Sequence, residues 1–512
     1  MTKKTEIEPE QKSENKLEAK SEKKVGITVK KNENFSEWFT QVVGPEGAEL
    51  ADVRYGVQGF VVHMPWSMRI LRRLYEYLED EIEKDGHEPM LFPTVIKKEN
   101  LEREKEHAGF APDVFWVTAA GDKKLEEEVA LRPTGETQIY PMYSLWLRGN
   151  SQLPYKRYQS RITVFRNEKT TRPFLRGREF MFFETHNMYA THEDVMEQIE
   201  SDRQIMKRVY WDKLRLPHIF LIRPQWDKFL GANNTYVSDT LMPDGRRNQM
   251  SSTHDLGQNF AKAYDIKFTD KDGEIKYAHQ SCFGPGIWRI MAALIGIHGD
   301  DNGLILPFEI APYQIVIVPV LFSNEEENRK IIEKCAELEE ELKQKYRVYF
   351  DNSNNTPGWK YNQWEMKGVP IRIELGPKDL KEDKIVLVRR TGHKTKTTLS
   401  ELDQTIKQEA MALDDDIKSK AEKYFAHNTK TAETLSEIKS TIKSFRGFVK
   451  APFCSIDKDG EGCADIIKAE TEGAYVCGIP WLKEEQEQPR KGAVCAVCKK
   501  TAKHIVYIAK SW

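Results

Sequence analysis

The chain has 512 residues, 31% charged and 39% hydrophobic, with a formal net charge of −2. That balance fits about three or four globular domains and excludes nucleic-acid binding through bulk positive charge, so any such contact rests on local patches. No run of about 18 apolar residues and no charged-then-apolar leader occurs, which argues against a membrane span or secretory signal. Seven cysteines in so long a chain fit free thiols in a cytoplasmic setting rather than a disulfide framework.

Residues 1–33 are Lys/Glu-rich with few apolar residues, and the expectation is a disordered charged tail or, with its alternating signs, a solvated helix. From Asn34 to about 309 the pattern suggests one large α+β domain. Trp66 to Ile82 carries Met68, Leu71, Leu74, Leu78 and Ile82 at helical spacing. Gly86 stops that helix, and a short apolar strand reaching Leu91, Phe92 and Pro93 follows. Strands are expected over Met181–Tyr189 and His218–Ile222, and helices from Phe260 through Ala263 and from Arg289 to Ile297. Residues 310–426 change character. Strands at Gln314–Val320, Arg347–Phe350, Pro370–Glu374 and Ile385–Arg389 alternate with helices at Asn324–Tyr346 and Ser400–Phe425, predicting an α/β module with a mostly parallel sheet. Residues 427–512 form a third region, where five of the seven cysteines concentrate.

Several constellations carry chemistry. The segment RNEKTTRPFLRGREF begins at Arg166 and ends at Phe180. Its Arg166, Arg172, Arg176 and Arg178, with the distant Arg289, offer guanidinium forks suited to polyphosphate oxygens. Glu168 can accept from an amino group such as that of adenine. This is a nucleotide loop without a P-loop, since no G-x-x-x-x-G-K-[ST] string occurs. In Leu131-RPTGET, Thr134 and Glu136 can grip an ammonium group beside a glycine that permits close approach; a Pro-Gly turn with a helix cap is the plainer reading. Glu184-T-H-N and Gln249-MSSTH place alternating polar residues on strands facing one cavity. Gly284-PGIW-Arg289 puts glycines ahead of a helix that carries an arginine.

Together these strings resemble the class II aminoacyl-tRNA synthetases, specifically prolyl-tRNA synthetases of the archaeal and eukaryotic type. So do THDLGQNFAKAYDI from Thr253, HGDDNGLILP from His298, and PGWKYNQWEMKGVPIRIELGPKDL from Pro357. The resemblance runs from about Phe35 to the C-terminus. It implies an α+β chain: an antiparallel-sheet catalytic domain (34–309), an α/β anticodon-binding domain (310–426) and a small α/β C-terminal zinc-binding domain (427–512). The implied activity is ATP-dependent ligation of L-proline to tRNA(Pro) through a prolyl-adenylate, with Mg²⁺ accompanying ATP, in a homodimer built on motif 1, the helix and strand ending at Pro93. Motif 2 is Phe165–Glu168 and motif 3 is Gly284–Arg289.

Residue by residue, the resemblance implies that Thr134, Glu136, Phe182, Glu184, His186, Phe229 and His254 hold proline. Arg166 touches the proline carboxylate and α-phosphate. Glu168, Arg176, Gln249, Ser252 and Arg289 hold ATP, and Arg166 and Arg289 stabilise the reaction. Glu365, Arg372, Lys378 and Asp379 read the anticodon guanines, which suits the donors and acceptors of those side chains. The two cysteine pairs of the last region suit a tetrahedral Zn²⁺, and Cys454, Cys463, Cys495 and Cys498 match the family's ligands. The first pair encloses eight residues instead of the family's usual four, and Cys477 reads as a buried thiol.

Phe182 stands where the family commonly has Trp. Asn234, Ser238 and Asp239 depart from relatives in what is expected to be a loop over the active site. Ile287 and Trp288 are bulky for motif 3, and Trp512 ends the chain where relatives often end in Tyr. Too few residues separate motifs 2 and 3 for the bacterial editing insertion, so alanine mischarging is expected to be corrected by a separate protein. The residues equivalent to the active-site metal ligands of threonine enzymes do not suggest a metal there. A sister class II enzyme and a catalytically silent tRNA-binding paralogue are the competing readings.

Overall fold

Apolar periodicity sets the first long helix, Pro65–Lys84, with Pro at its N-terminal turn. Trp66, Ile70, Leu71, Leu74, Leu78 and Ile82 are buried along it. Met68, expected on that stripe, instead faces outward at 42% exposure. The chain here is a computed structural model describing residues 26–102 and 113–512, so most of the expected charged tail lies outside the described residues. Its last part does not behave as a tail: Ile27 and Val29 pack against the core. Lys31 donates through Nζ to Gly299 O at 2.5 Å and through its backbone N–H to Asp301 Oδ1 at 2.8 Å.

Gly86, at φ +87°, ends the helix as expected. The strand after it is shorter than expected: only Glu88–Pro89 pairs, parallel to Arg157–Tyr158, and Leu91 is 78% exposed.

The central sheet has 11 strands. From that edge it runs Tyr155–Phe165, Glu179–Tyr189, His279–Pro285, Arg247–Gly257, Asn234–Leu241 and Ile219–Ile222. It then continues into the C-terminal region through Ala474–Pro480, His504–Lys510, Phe448–Phe453 and Thr429–Thr431. The join is Ile479↔Ile222 and Pro480↔Leu221, antiparallel. The catalytic and C-terminal regions therefore share one sheet. Helices His192–Met206 and Ile287–Ala293 cover one face. Residues 234–239, expected as a loop, belong to a central strand, and Ser238 and Asp239 are fully buried.

The second module has five strands in the order Val348–Phe350, Ile315–Pro319, Ile371–Leu375, Ile385–Arg389, Lys394–Thr397. The first two pairings are parallel and the last two antiparallel, so the expectation of a mostly parallel sheet holds for one half only. For the last pairing the cause is local: Arg389 closes on His393 through a tight turn at Gly392 (φ +95°), too short for a crossover. Among the described residues no helix is long and apolar enough to cross a membrane, and all seven cysteines are free thiols.

Candidate active site

Strand alternation puts every second side chain on the open face of the sheet. Two rows result. His186, Cys282, His254 and Thr235 are direct cross-strand neighbours, and Gln159 with Glu184 and Gly284 with Ser252 form the next row. Above them lies a cavity of about 720 Å³. All thirteen proline and ATP candidates line it: Thr134, Glu136, Arg166, Glu168, Arg176, Phe182, Glu184, His186, Phe229, Gln249, Ser252, His254 and Arg289.

One end is rich in carboxylates. Thr134 Oγ1 donates to Glu136 Oε2 at 2.5 Å, and Gln159 Nε2 donates to Glu184 Oε1 at 2.6 Å. Gly135 makes this possible, because a Cβ there would lie 2.2 Å from Glu184 Oε1; the glycine admits a carboxylate rather than a ligand. His186 Nδ1 meets Tyr140 OH at 3.0 Å, and its Nε2 lies 3.1 Å from Glu184 Oε2 without hydrogen-bond alignment. Burial opposes charging His186, but Glu184 and Glu136 outweigh it and raise its pKa. Burial holds His254 down to about 4, so that ring is neutral. Thr235 Oγ1 meets His254 Nδ1 at 2.9 Å, and the Phe229 ring sits 4.7 Å from the His254 ring. Burial first, then Glu136 and Glu184, keep Cys282 a thiol. Glu136, His186 and Cys282 bring ligand atoms within 4.8 Å of one another, a grouping the sequence did not suggest. Thr134, Tyr140 and Glu184 already engage its members.

The other end is rich in guanidinium groups. Arg176 donates to Glu168 Oε2 at 3.3 Å and to the main-chain oxygen of Trp512 at 3.1 Å. Arg289 has no side-chain partner among the described residues. Burial, then repulsion from Arg176 and Arg247, pull it down to about 10. Arg166 sits between the ends: burial lowers its pKa, while Glu168, Glu136 and Glu184 counter that. Its Nε donates to Pro133 O at 3.0 Å, and its guanidinium lies over Phe180. Of the other loop arginines expected to face phosphate, neither Arg172 nor Arg178 lines the cavity. Arg172 turns to Ser36 and the Phe39 and Trp512 rings, and Arg178 donates to Glu168 O. Trp288 fits beside Phe174 because Gly177 lacks a Cβ, which would fall 2.5 Å from its ring.

Sequence reasoning missed Arg223 and Arg247, and it marked Asp239 only as a departure from relatives, without its pairing to both arginines. Asp239 Oδ2 takes Arg223 Nη1 at 2.9 Å and Arg247 Nη1 at 3.2 Å. Arg223 Nη2 also donates to Gln249 Oε1 at 2.9 Å, orienting that amide. The one available signal was three charged residues inside β-rich segments.

Away from the cavity, Glu365 and Arg372 are paired at 3.0 Å, and Arg372 also binds Glu374 at 2.9 Å and stacks on Tyr361 at 4.0 Å. Asp379 accepts from Gly376 N at 3.2 Å, one residue after Lys378 on the helix Pro377–Lys381. The sulfurs of Cys454, Cys463, Cys495 and Cys498 lie within 4.8 Å of one another, with Cys454 and Cys463 3.8 Å apart. Tetrahedral Zn–S bonds of about 2.3 Å imply sulfur separations of about 3.8 Å, so the set fits that ion. The longer first spacing is absorbed by a turn in which Gly460 presses on Ser455 O, where a Cβ would come within 2.0 Å. Cys477 packs separately with Leu221, Val237 and Ala509.

Comparison with known proteins adds three family profiles. They are the tRNA synthetase class II core domain (G, H, P, S and T) over 115–298, the anticodon binding domain over 314–409, and the prolyl-tRNA synthetase C-terminal domain over 435–512. A proline–tRNA ligase of Thermofilum pendens is 50% identical over 491 residues, 95% of this chain and 99% of that protein. One from Pyrococcus abyssi is 39% identical over 94% of this chain and 98% of its own length. The structure of Giardia lamblia prolyl-tRNA synthetase in complex with prolyl-adenylate superposes with a TM-score of 0.90 at 34% identity, covering 95% of this chain and 100% of that one.

Proposed function

We propose the residue roles below from the premise that the chain belongs to the prolyl-tRNA synthetase family. Its reaction is the ATP-dependent ligation of L-proline to tRNA(Pro) through a prolyl-adenylate. The observation that carries the assignment of roles is the polarity of a single cavity, with carboxylates at one end, guanidinium groups at the other and Arg166 between them.

The proline imino group, a cation, is held by Glu136, Glu184 and Thr134, with its ring between Phe229, Phe182 and neutral His254; Gln159 orients Glu184, and His186 forms the pocket wall beside it. Its carboxylate meets Arg166 and attacks the α-phosphorus in line. The bond to the β-phosphate breaks, and pyrophosphate leaves toward Arg176 and Arg289. Glu168 reads the adenine amino group, and Gln249 and Ser252 line the nucleotide. The terminal ribose hydroxyl of tRNA then attacks the mixed anhydride, forming the ester and releasing AMP. No enzyme nucleophile takes part, so catalysis is positioning and charge stabilisation. Mg²⁺ carried with the nucleotide substrate would neutralise charge on its phosphates. Among the described residues, no group of potential metal ligands gathers at the guanidinium end.

Glu365, Arg372, Lys378 and Asp379 read the anticodon. Cys454, Cys463, Cys495 and Cys498 would hold a structural Zn²⁺ that fixes the C-terminal turns; zinc analysis of the purified chain near one ion per protomer is expected, and none would remove this assignment. The edge strand Glu88–Pro89 and exposed Leu91 support a homodimer, which light scattering checks, and free thiols support a cytoplasmic setting. The whole reading is tested by pyrophosphate exchange across the amino acids, followed by aminoacylation of tRNA(Pro). Proline is expected to lead by a wide margin. Preference for another amino acid, or silence with all, would overturn it.

A further inference from the structure

Five guanidinium groups border the cavity, those of Arg166, Arg176, Arg223, Arg247 and Arg289. Arg223 is spent on the protein: it binds Asp239, Gln249 and the carbonyl of Cys477. Arg247 is not. It begins the strand Arg247–Gly257, two residues before Gln249 and so on the same face. It is 7% exposed, and its buried Nε has no hydrogen-bond partner. Its guanidinium is held in place from two sides, by Asp239 Oδ2 at 3.2 Å and by the Tyr475 ring at 6.0 Å, and its backbone carbonyl accepts from Trp512 N at 3.2 Å.

Charge makes the case. Asp239 is a single carboxylate, fully buried, shared by two guanidinium groups; Asp227 also lies 3.8 Å from Arg223, so Asp239 is the one carboxylate that Arg247 binds directly among the described residues. Arg247 also lies close enough to the unpartnered Arg289 to depress its pKa. Arginine cannot shed its proton to relieve this. A buried guanidinium N–H left without a partner, close to a second cation, is a costly arrangement in a free protein, and a multiply charged anion placed between the two removes the cost.

We propose that Arg247 is a phosphate-binding residue, contacting the pyrophosphoryl part of ATP beside Arg176 and Arg289, and that Asp239 is the positioning residue that aims it. This rests on the reading of the cavity as the ATP site. The rival role is a structural clamp between the two halves of the long sheet.

Pyrophosphate exchange on the full chain separates these, using Arg247→Met, Arg247→Lys and Arg289→Met. Arg247→Met is expected to raise the KM for ATP and for pyrophosphate about 10- to 100-fold, the loss of a charge-assisted contact, and to leave the KM for proline within about twofold. Arg247→Lys keeps a point charge but loses the fork, and falls between. A clamp alone would lower the melting temperature and leave those two KM values in place. If Arg289→Met raises them and Arg247→Met does not, the inference falls and the ATP reading stands. If neither variant changes them, the ATP reading falls as well. Should Arg247→Met fail to fold, an unchanged pyrophosphate KM in Arg247→Lys overturns the inference.

Discussion

The cavity proposed for catalysis and the face proposed to meet the anticodon use the same residue types in opposite ways. On the anticodon face Arg372 is fully engaged, bound to Glu365 and Glu374 and stacked on Tyr361. In the cavity Arg289 has no side-chain partner among the described residues and Arg247 keeps an unused Nε. A substrate entering the cavity completes interactions that the protein leaves open. A nucleobase reaching Arg372 must exchange with interactions already made. The first arrangement gives binding and rate; the second returns only a difference between two good sets of contacts, and so serves discrimination more than affinity.

The comparison breaks most sharply at Arg166. Arg166→Ala is expected to cost activation about 2.7–4 kcal/mol, as for the loss of one preorganised charge-stabilising donor. Stability should fall by only about 1–2 kcal/mol, because the protein loses one hydrogen bond to Pro133 and the contact over the Phe180 ring. Proline-dependent exchange near the wild-type rate would place the reacting carboxylate elsewhere. Arg372→Met is the matched test on the other region. Exchange without tRNA should be unchanged, and aminoacylation of tRNA(Pro) should lose about 1–3 kcal/mol in kcat/KM, with weakened discrimination against anticodon variants. Because Glu365 loses its partner and Glu374 its nearer one, this variant should also melt lower, and by more than Arg166→Ala. Equal melting shifts in the two would erase the contrast.

The difference between the regions also explains what could be read from the sequence. Cavity residues sit in short strings, RPTGET, RNE, ETH, QMSSTH, where period-two alternation alone puts Glu184 and His186, or Ser252 and His254, on one face; Gln249 joins them only through a β-bulge before Ser251, which alternation does not show. The helix Pro65–Lys84 and the strand Ile385–Arg389 follow equally local signals. What escaped is non-local. Arg223 finds Asp239, Gln249 and the carbonyl of Cys477, a residue 254 positions away. The edge-to-edge join of Ile479 with Ile222 that fuses two regions into one sheet has no sequence signature. Asn234, Ser238 and Asp239, expected from the resemblance in a loop over the active site, lie in the strand Asn234–Leu241, where pairing on both sides overrides the low strand propensity of Asn and Asp. Arg172 shows the converse limit: it lies in the right string, but the turn directs it onto Phe39 and away from the nucleotide end.

A third way of holding charge lies on the covered side of the sheet, and its test has the smallest expected effect. Asp202, on the helix His192–Met206, is fully buried and accepts from Gln198 Nε2 at 2.8 Å. Burial, aided by the nearby Asp85 and opposed by Gln198 and Lys156, pushes it up to about 8 from an ordinary 3.8. Here the protein neither pairs the carboxylate with a cation nor leaves it open to a ligand; it keeps the proton. The folded chain then holds a proton that the unfolded chain has released between about pH 4 and pH 8. Stability falls as pH rises through that window, since the native state binds more protons. Asp202→Asn keeps the shape and cannot titrate. Its melting temperature should decline less steeply than wild type between about pH 5 and pH 8, with exchange activity little changed at neutral pH. Parallel curves for the two proteins would mean that Asp202 is ionised in the fold and that its charge is balanced by Lys156 after all.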